Sequence, residues 1–185
     1  MFGGWQDPNG KGLSANVAYT LFNIAVWTLI CPGVGLLIMK KLNLIGDLNL
    51  SQRTDRIMPY FLVIVCYSIA AYAFVNQPQG IRVPGIILVM LLGSLVSIII
   101  SFFLNNFLKV SAHANGMGSF VGVVFGLLAI SVRNTDWLIV VSLLLTGAVL
   151  SSRLYLKAHT LREVFLGFSI GFACQILALM FFQVV

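Results

Sequence analysis

Charged residues are scarce in this sequence. They make up 9% of its 185 residues, with only 5 Asp and Glu, whereas hydrophobic residues make up 59%. A soluble globular domain carries about 25% charged residues, so this scarcity excludes a soluble domain of ordinary composition. The sequence instead indicates a protein that lies in a membrane.

Cysteine is also rare, and the basic residues form no long run. Cys31, Cys66 and Cys174 lie far apart inside apolar stretches, without the spacing of a metal site, so we expect small buried side chains. The net charge is +6, but Lys and Arg are not clustered along the chain as they are in nucleic-acid-binding segments. We therefore expect no nucleic-acid partner.

Long apolar runs recur six times. A membrane-spanning helix needs about twenty apolar residues, and runs of suitable length lie at 14–39, 58–75, 83–104, 116–132, 136–152 and 161–183. The sequence therefore predicts an all-α fold, a polytopic six-transmembrane-helix bundle that forms a single integral membrane domain over 1–185. Pro32, with Gly33 and Gly35, is expected to kink or loosen the first helix.

Six spans would gather connections 1-2, 3-4 and 5-6 on one side of the membrane. Both histidines and eight basic residues fall on that side, against Lys11, Arg82 and Arg133 on the other. The eight are Lys40, Lys41, Arg53, Arg56, Lys109, Arg153, Lys157 and Arg162. The positive-inside rule would place them in the cytoplasm. If four of them bind ligand, however, the remaining charges are nearly balanced and leave the orientation open.

The connection between the fifth and sixth spans carries His159 and Glu163. At this spacing the two side chains share a helix face, and a carboxylate on one ring nitrogen would leave the other free as a nucleophile or base. Arg153 offers a planar fork of donors that suits phosphate. Two alternatives stay open: Thr160 to Glu163 also fits a helix capping box, and Arg153 could anchor the helix at the interface.

The connection between the third and fourth spans contains Lys109, Ser111, His113 and Gly116. A serine, a histidine and a glycine that lead into a helix N-terminus can form an anion site, because the first N–H groups lack partners within the helix. An ordinary interfacial turn would carry the same residues. The only two histidines of the chain would share one membrane face with the basic clusters, and this favours function, since ionisable groups at membrane depth are costly.

Arg53 and Arg56 stand before the second span, three residues apart. On a helix they would share a face and could complete a cationic cradle for phosphate. The alternative is that both side chains snorkel to lipid headgroups.

These residues resemble the type 2 phosphatidic acid phosphatase superfamily, in its membrane-bound lipid phosphatase branch. The third motif of that family is Ser-Arg, five residues, His, three residues, Asp, and here Ser152, Arg153, His159 and Glu163 match it with Glu for Asp. Its second motif, Pro-Ser-Gly-His, corresponds to 110–113, which keeps the serine and the histidine. Its first motif, Lys, six residues, Arg-Pro, is degenerate here: Pro59 follows Arg56 after two residues, and Arg53 stands in for the lysine.

The resemblance implies hydrolysis of a lipid phosphate monoester or an isoprenyl or lipid pyrophosphate, without metal or cofactor. His159 would be the nucleophile, Glu163 would stabilise it, and His113 would serve as general acid and base. The phosphate would be held by Arg53, Arg56, Lys109, Arg153, Ser111 and N–H groups near Gly116. For a bacterial protein, the family would place it in the inner membrane with this site facing the periplasm.

Two other functions can be built on the same residues. The two histidines could ligate a b-type haem in a helix bundle, although such ligands usually sit within helices at matched depths. The chain could also be a non-catalytic phospholipid-binding or transport protein that retains a phosphatase-like site.

Glycines recur every four residues in two of the predicted helices. The fourth carries Gly118, Gly122 and Gly126, and the sixth carries Gly167 and Gly171. Such stripes let membrane helices approach closely. They could pair with each other, which would draw His113 and His159 to one pocket, or one stripe could mediate a homodimer.

Overall fold

A computed structural model describes residues 12–46, 54–129 and 136–181. These ranges are helical and contain no β-strand. The helices are α1 (Gly12–Ile24), a π-helical segment (Ala25–Ile30), α2 (Cys31–Lys41), a 3-10 turn (Thr54–Arg56), α3 (Ile57–Val75), α4 (Gly85–Leu104), α5 (Ala112–Ala129), α6 (Asp136–Tyr155) and α7 (Leu161–Phe181). The all-α prediction is confirmed for these residues. Arg53 lies outside them.

Within the described residues, five helices are long and apolar enough to cross a membrane. They are the continuous segment Ala15–Lys41, which contains most of α1, the π-helical segment and all of α2, together with Ile57–Val75, Gly85–Leu104, Trp137–Tyr155 and Leu161–Phe181. The prediction of a membrane protein agrees with these helices. α5 is apolar but shorter, so the count of six spans stays a prediction.

The first span is irregular next to its proline, as the sequence predicts. Its helix takes π geometry at Ala25–Ile30, just before Pro32. A proline inside a helix lacks an N–H and crowds the carbonyl four residues earlier, which here belongs to Thr28. A π-helical segment widens the helix and relieves such crowding. The helix continues through the proline rather than ending there.

The start of α5 corrects the predicted boundary of the fourth span. The helix begins at Ala112 rather than near residue 116, because Ser111 acts as its N-cap: Ser111 Oγ accepts a hydrogen bond from the Ala114 N–H at 3.4 Å. His113 therefore lies in the first turn of a helix and not in a connection. Gly116 lies in the second turn, past the N–H groups that lack helical partners.

α5 and α7 form the most extensive helix pair of the fold. A Cβ atom on Gly118 would overlap the backbone carbonyl of Phe168, and a Cβ atom on Gly171 would overlap that of Asn115. The two glycine stripes therefore face each other within one chain, which is the first of the two arrangements that their spacing allows. Because these stripes are buried between α5 and α7, they are not surfaces for a second copy.

Two buried amides join this pair to α4. Asn115 Nδ2 lies 2.9 Å from Ser101 Oγ, and Gln175 Nε2 lies 2.8 Å from both Ser94 Oγ and the Met90 carbonyl oxygen. Asn115 and Gln175 are 4% and 1% exposed. The nitrogen of each amide donates within the protein, as a donor at membrane depth must, whereas the oxygen of each has no hydrogen-bond partner among the described residues. The amides hold α4, α5 and α7 together behind the site.

Candidate active site

The connections that the sequence predicts on one face meet there in the structure. Lys109 Nζ donates a hydrogen bond to the Ala158 carbonyl oxygen at 2.8 Å, and the Ser111 N–H donates to the Glu163 carbonyl oxygen at 3.3 Å. These contacts tie the α4–α5 connection to the α6–α7 connection. The distance from Lys109 Nζ to Glu163 Oε2 is 4.0 Å, so the ammonium also lies beside the carboxylate.

His159 and Glu163 form a close pair. His159 Nδ1 lies 2.8 Å from Glu163 Oε2, which leaves Nε2 as the nitrogen that can react. The same Oε2 atom accepts the Thr160 N–H at 3.3 Å, and the Glu163 N–H donates to Thr160 Oγ1 at 3.4 Å. This second pair of bonds is a capping box. The two interpretations of Glu163 are therefore compatible: the bonds that start α7 also aim the carboxylate at the imidazole.

A tight turn at the end of α6 brings the chain back from Arg153 to His159. Lys157 has a φ of +51°, and the Ala158 N–H bonds to the Arg153 carbonyl oxygen at 3.1 Å. This bond and the left-handed residue before it are those of a Schellman motif, in which glycine is the usual residue at the position of Lys157. The turn explains how residues six apart share one site.

His113 and Arg153 approach this pair from α5 and α6. Burial lowers the pKa of the His113 imidazole below its ordinary value, and the charges of Arg153 and His159 lower it further, so the two imidazoles and the guanidinium lie in one electrostatic neighbourhood. Arg153 Nε is buried and has no hydrogen-bond partner among the described residues. A buried donor of a charged group costs free energy unless something accepts its proton. Such a donor suits an anionic ligand.

Arg56 reaches the site from the start of α3. It is 5% exposed, and its Nη1 donates to Asn105 Oδ1 at 3.3 Å, at the end of α4. Its charge acts on His159. The burial excludes snorkelling to lipid headgroups as the role of Arg56. Asn105 was not singled out by the sequence, and the only signal for it is an Asn-Asn pair that ends an apolar helix.

Several effects set the charge of His159. Burial lowers the pKa of this imidazole below its ordinary value, and the Lys109 and Arg56 cations lower it further, while the hydrogen bond and charge of Glu163 act in the opposite direction. The net result is a lowered pKa, so His159 is neutral near pH 7. A neutral imidazole is the form that can act as a nucleophile.

Two other predicted ligands are placed less directly. Ser111 is completely buried and its hydroxyl caps α5. Gly116 is exposed, and the space around its Cα is open, but the unpaired N–H groups at this helix start belong to Ala112 and His113. An anion at the α5 N-terminus would therefore meet the first turn rather than Gly116.

A large apolar cavity lies next to His113. Its volume is about 770 Å³, and its lining residues come from all the helices, with His113 and Gly116 at one end and Leu127 and Leu138 at the other. No Asp, Glu, Lys or Arg lines it in the part of the chain that the structure describes. No pattern in the sequence indicates this cavity, because its walls consist of residues that are typical of any membrane helix.

Comparisons of the chain with protein-family models, with curated proteins and with solved structures found no match.

Proposed function

We propose that the protein hydrolyses a lipid phosphate monoester or a lipid or isoprenyl pyrophosphate at the membrane interface, and that it belongs to the type 2 phosphatidic acid phosphatase superfamily. The observation that carries this proposal is the His159 and Glu163 pair, with Nδ1 and Oε2 at 2.8 Å, set beside His113 and the unpartnered Nε of Arg153. This combination provides an oriented neutral imidazole, a second imidazole and a guanidinium whose Nε atom is buried.

The first step is attack by His159 Nε2 on the phosphorus atom. A P–N bond forms, the P–O bond to the leaving group breaks, and the protonated form of His113 gives its proton to the leaving oxygen. Glu163 stabilises the positive charge that develops on the His159 ring. The second step reverses the role of His113, which takes a proton from water as the water oxygen attacks phosphorus. The P–N bond then breaks and orthophosphate leaves.

The cations of the site hold the phosphoryl oxygens through both steps. Phosphoryl transfer places negative charge on the equatorial oxygens, and fixed donors in a water-poor site stabilise that charge. Arg153 is best placed for this role because its Nε has no other described partner. Arg56 and Lys109 add charge, although each also makes a hydrogen bond within the protein. The proposal includes Arg53, which lies outside the described residues.

The proposal extends to the location of the protein. A substrate with its phosphate in water and its hydrocarbon in lipid requires a site at the membrane surface, and the charged rim formed by the α2, α4 and α6 ends meets that need. Following the family, we assign the protein to a bacterial inner membrane with the rim facing the periplasm. Cysteine labelling of Lys157→Cys in intact spheroplasts tests this orientation, since a periplasmic rim reacts with an impermeant maleimide.

Phosphate release tests the activity. The purified protein, assayed with EDTA present against a panel of phosphatidic acid, phosphatidylglycerol phosphate and isoprenyl pyrophosphate, should release orthophosphate from at least one. His159→Ala should abolish this release, whereas Arg162→Ala, an exposed change in the first turn of α7, should not. Full activity in His159→Ala, or activity that EDTA removes, would contradict the mechanism.

Trapping of the intermediate gives a second test. In His113→Ala no base activates water, so a substrate with a good leaving group should leave phosphate on His159. The label should be lost in acid and kept in alkali, as expected of a phosphohistidine. A non-catalytic lipid-binding protein would show neither turnover nor label.

A further inference from the structure

We propose that the apolar cavity beside His113 holds the hydrocarbon chain of the substrate lengthwise, and that the site selects lipid phosphates whose chain is longer than one membrane leaflet is thick. This inference rests on the proposed function for the position of the phosphate, and it adds the class of lipid.

The depth of the cavity can be read along α5. Its lining includes Ala112 and His113 in the first turn and Leu127 near the end of the helix. With a rise of about 1.5 Å per residue, Ala112 and Leu127 are about 22 Å apart along the axis. One leaflet of the hydrocarbon core is about 15 Å deep, half of roughly 30 Å. A chain that fills the cavity therefore reaches past the middle of the membrane.

The other walls have the same vertical extent. On α3 the lining runs from Pro59 and Tyr60, next to Arg56, to Phe74 in the last turn. α4 runs in the opposite direction and contributes Ile98 near the site and Ile87 at the far end. The cavity is thus about as deep as the helices that line it, and it is only partly enclosed.

The chemistry of the walls suits hydrocarbon. Asn115 and Gln175 contribute to the lining, but their amide nitrogens donate to α4, and their carbonyl oxygens lie against Gly171 and Gly93, respectively. The two amides are therefore turned toward neighbouring helices. Their oxygens and the hydroxyl of Tyr60, which also contributes to the lining, have no hydrogen-bond partner among the described residues. The charged residues Arg56, Lys109 and Arg153 stay at the rim, where an anionic headgroup belongs. An amphiphile with one charged end fits this distribution.

Photolabelling of the wild-type protein tests the inference without turnover. The probes are two single-chain alkylphosphonates, whose P–C bond is not hydrolysed, each with a diazirine at the chain end; one chain is about 15 Å long and the other about 22 Å. In phosphatidylcholine nanodiscs, the long probe should label the region of Leu127 and Leu138, and the short probe should label the region of Ser119 to Val123.

Two results would overturn the inference. One is labelling spread over lipid-facing residues such as Phe125 and Leu144, which are 41% and 69% exposed. The other is equal labelling of the cavity by a phosphatidylcholine that carries the same diazirine, which would mean that bulk lipid fills it.

Chain-length selectivity provides an independent measurement. Leu127→Trp should close the far end and lower kcat/KM at least tenfold for a long-chain phosphate while changing it less than twofold for a short one. Phe125→Trp, on the opposite face of α5, is the matched control. Cavity labelling without phosphate release would contradict the proposed function but not the binding of a long chain in the cavity. Phosphate release with no dependence on chain length would contradict this inference but not the proposed function.

Discussion

The Lys109 ammonium lies 2.8 Å from the carbonyl oxygen of Ala158, the residue that precedes His159. The sequence predicts Lys109 as a ligand of phosphate, but this contact also makes it the side chain that fixes the backbone beside the proposed nucleophile. Its charge acts on the imidazole as well. Substitutions of Lys109 can separate the effect of its hydrogen bond from the effect of its charge.

Lys109→Met should shift the acidic limb of the pH–rate profile to higher pH. The ammonium lowers the pKa of His159, so its loss raises that pKa, and the neutral imidazole required for attack is then lost at a higher pH than in the wild type. Lys109→Arg keeps the charge and should leave the limb in place. The measurement is kcat/KM against pH. If Lys109→Met raised KM but left the acidic limb in place, Lys109 would only bind phosphate and would not set the pKa of His159.

Glu163→Gln should shift the same limb in the opposite direction. The carboxylate raises the pKa of His159, so a neutral amide lets that pKa fall further and the imidazole stays neutral at lower pH. We expect kcat to fall about a hundredfold, because the charge that develops on the ring loses its stabilising partner. Glutamine can still serve in the capping box.

Thr160→Ala is the control for Glu163→Gln. It removes one bond of the cap, which should lower the free energy of unfolding by about 1 kcal/mol, without moving the acidic limb. If both variants moved the limb equally, the effect would be one of helix capping rather than of charge.

Lys157→Gly should stabilise the protein by about 1 kcal/mol, because a side chain in the left-handed region is strained and glycine is not. Lys157→Ala removes the same charge and keeps the strain, so it should bring no gain. Thermal unfolding in detergent measures both variants. A larger gain from alanine than from glycine would show that charge, not backbone conformation, matters at this position.

Gly118→Ala should lower the free energy of unfolding by about 2 kcal/mol or more and reduce activity, because the new Cβ meets the carbonyl of Phe168 and pushes α5 away from α7. His113 and His159 lie at the starts of these two helices and would separate. Gly147→Ala, where a Cβ atom meets nothing within 4 Å, is the matched control. It should change the free energy of unfolding by no more than about 1 kcal/mol and leave the activity unchanged. Equal loss in both variants would contradict close packing as the cause.

Local sequence patterns, which involve residues close together in the chain, predicted much of the fold. Apolar length located the helices, and the four-residue glycine spacing identified two helix faces that allow close packing, without deciding between a contact of α5 with α7 and a contact between two copies. The N-cap at Ser111 was missed because Ala112 to Asn115 is a polar segment that hydropathy assigns to a connection. The partner of Arg56 was missed for a different reason. Asn105 is 49 residues away, and only the packing of α3 on α4 brings the two together.

The amides of Asn115 and Gln175 also limit how the protein can answer a change of bilayer thickness. A shift of α4 along its axis by one turn, about 5.4 Å, would strip both amides of their partners in hydrocarbon. In a thinner or thicker membrane, the first span should therefore be the helix that changes its tilt, since it packs mainly on α3. The spacing of the two imidazoles would then be the same in membranes of different lipid composition.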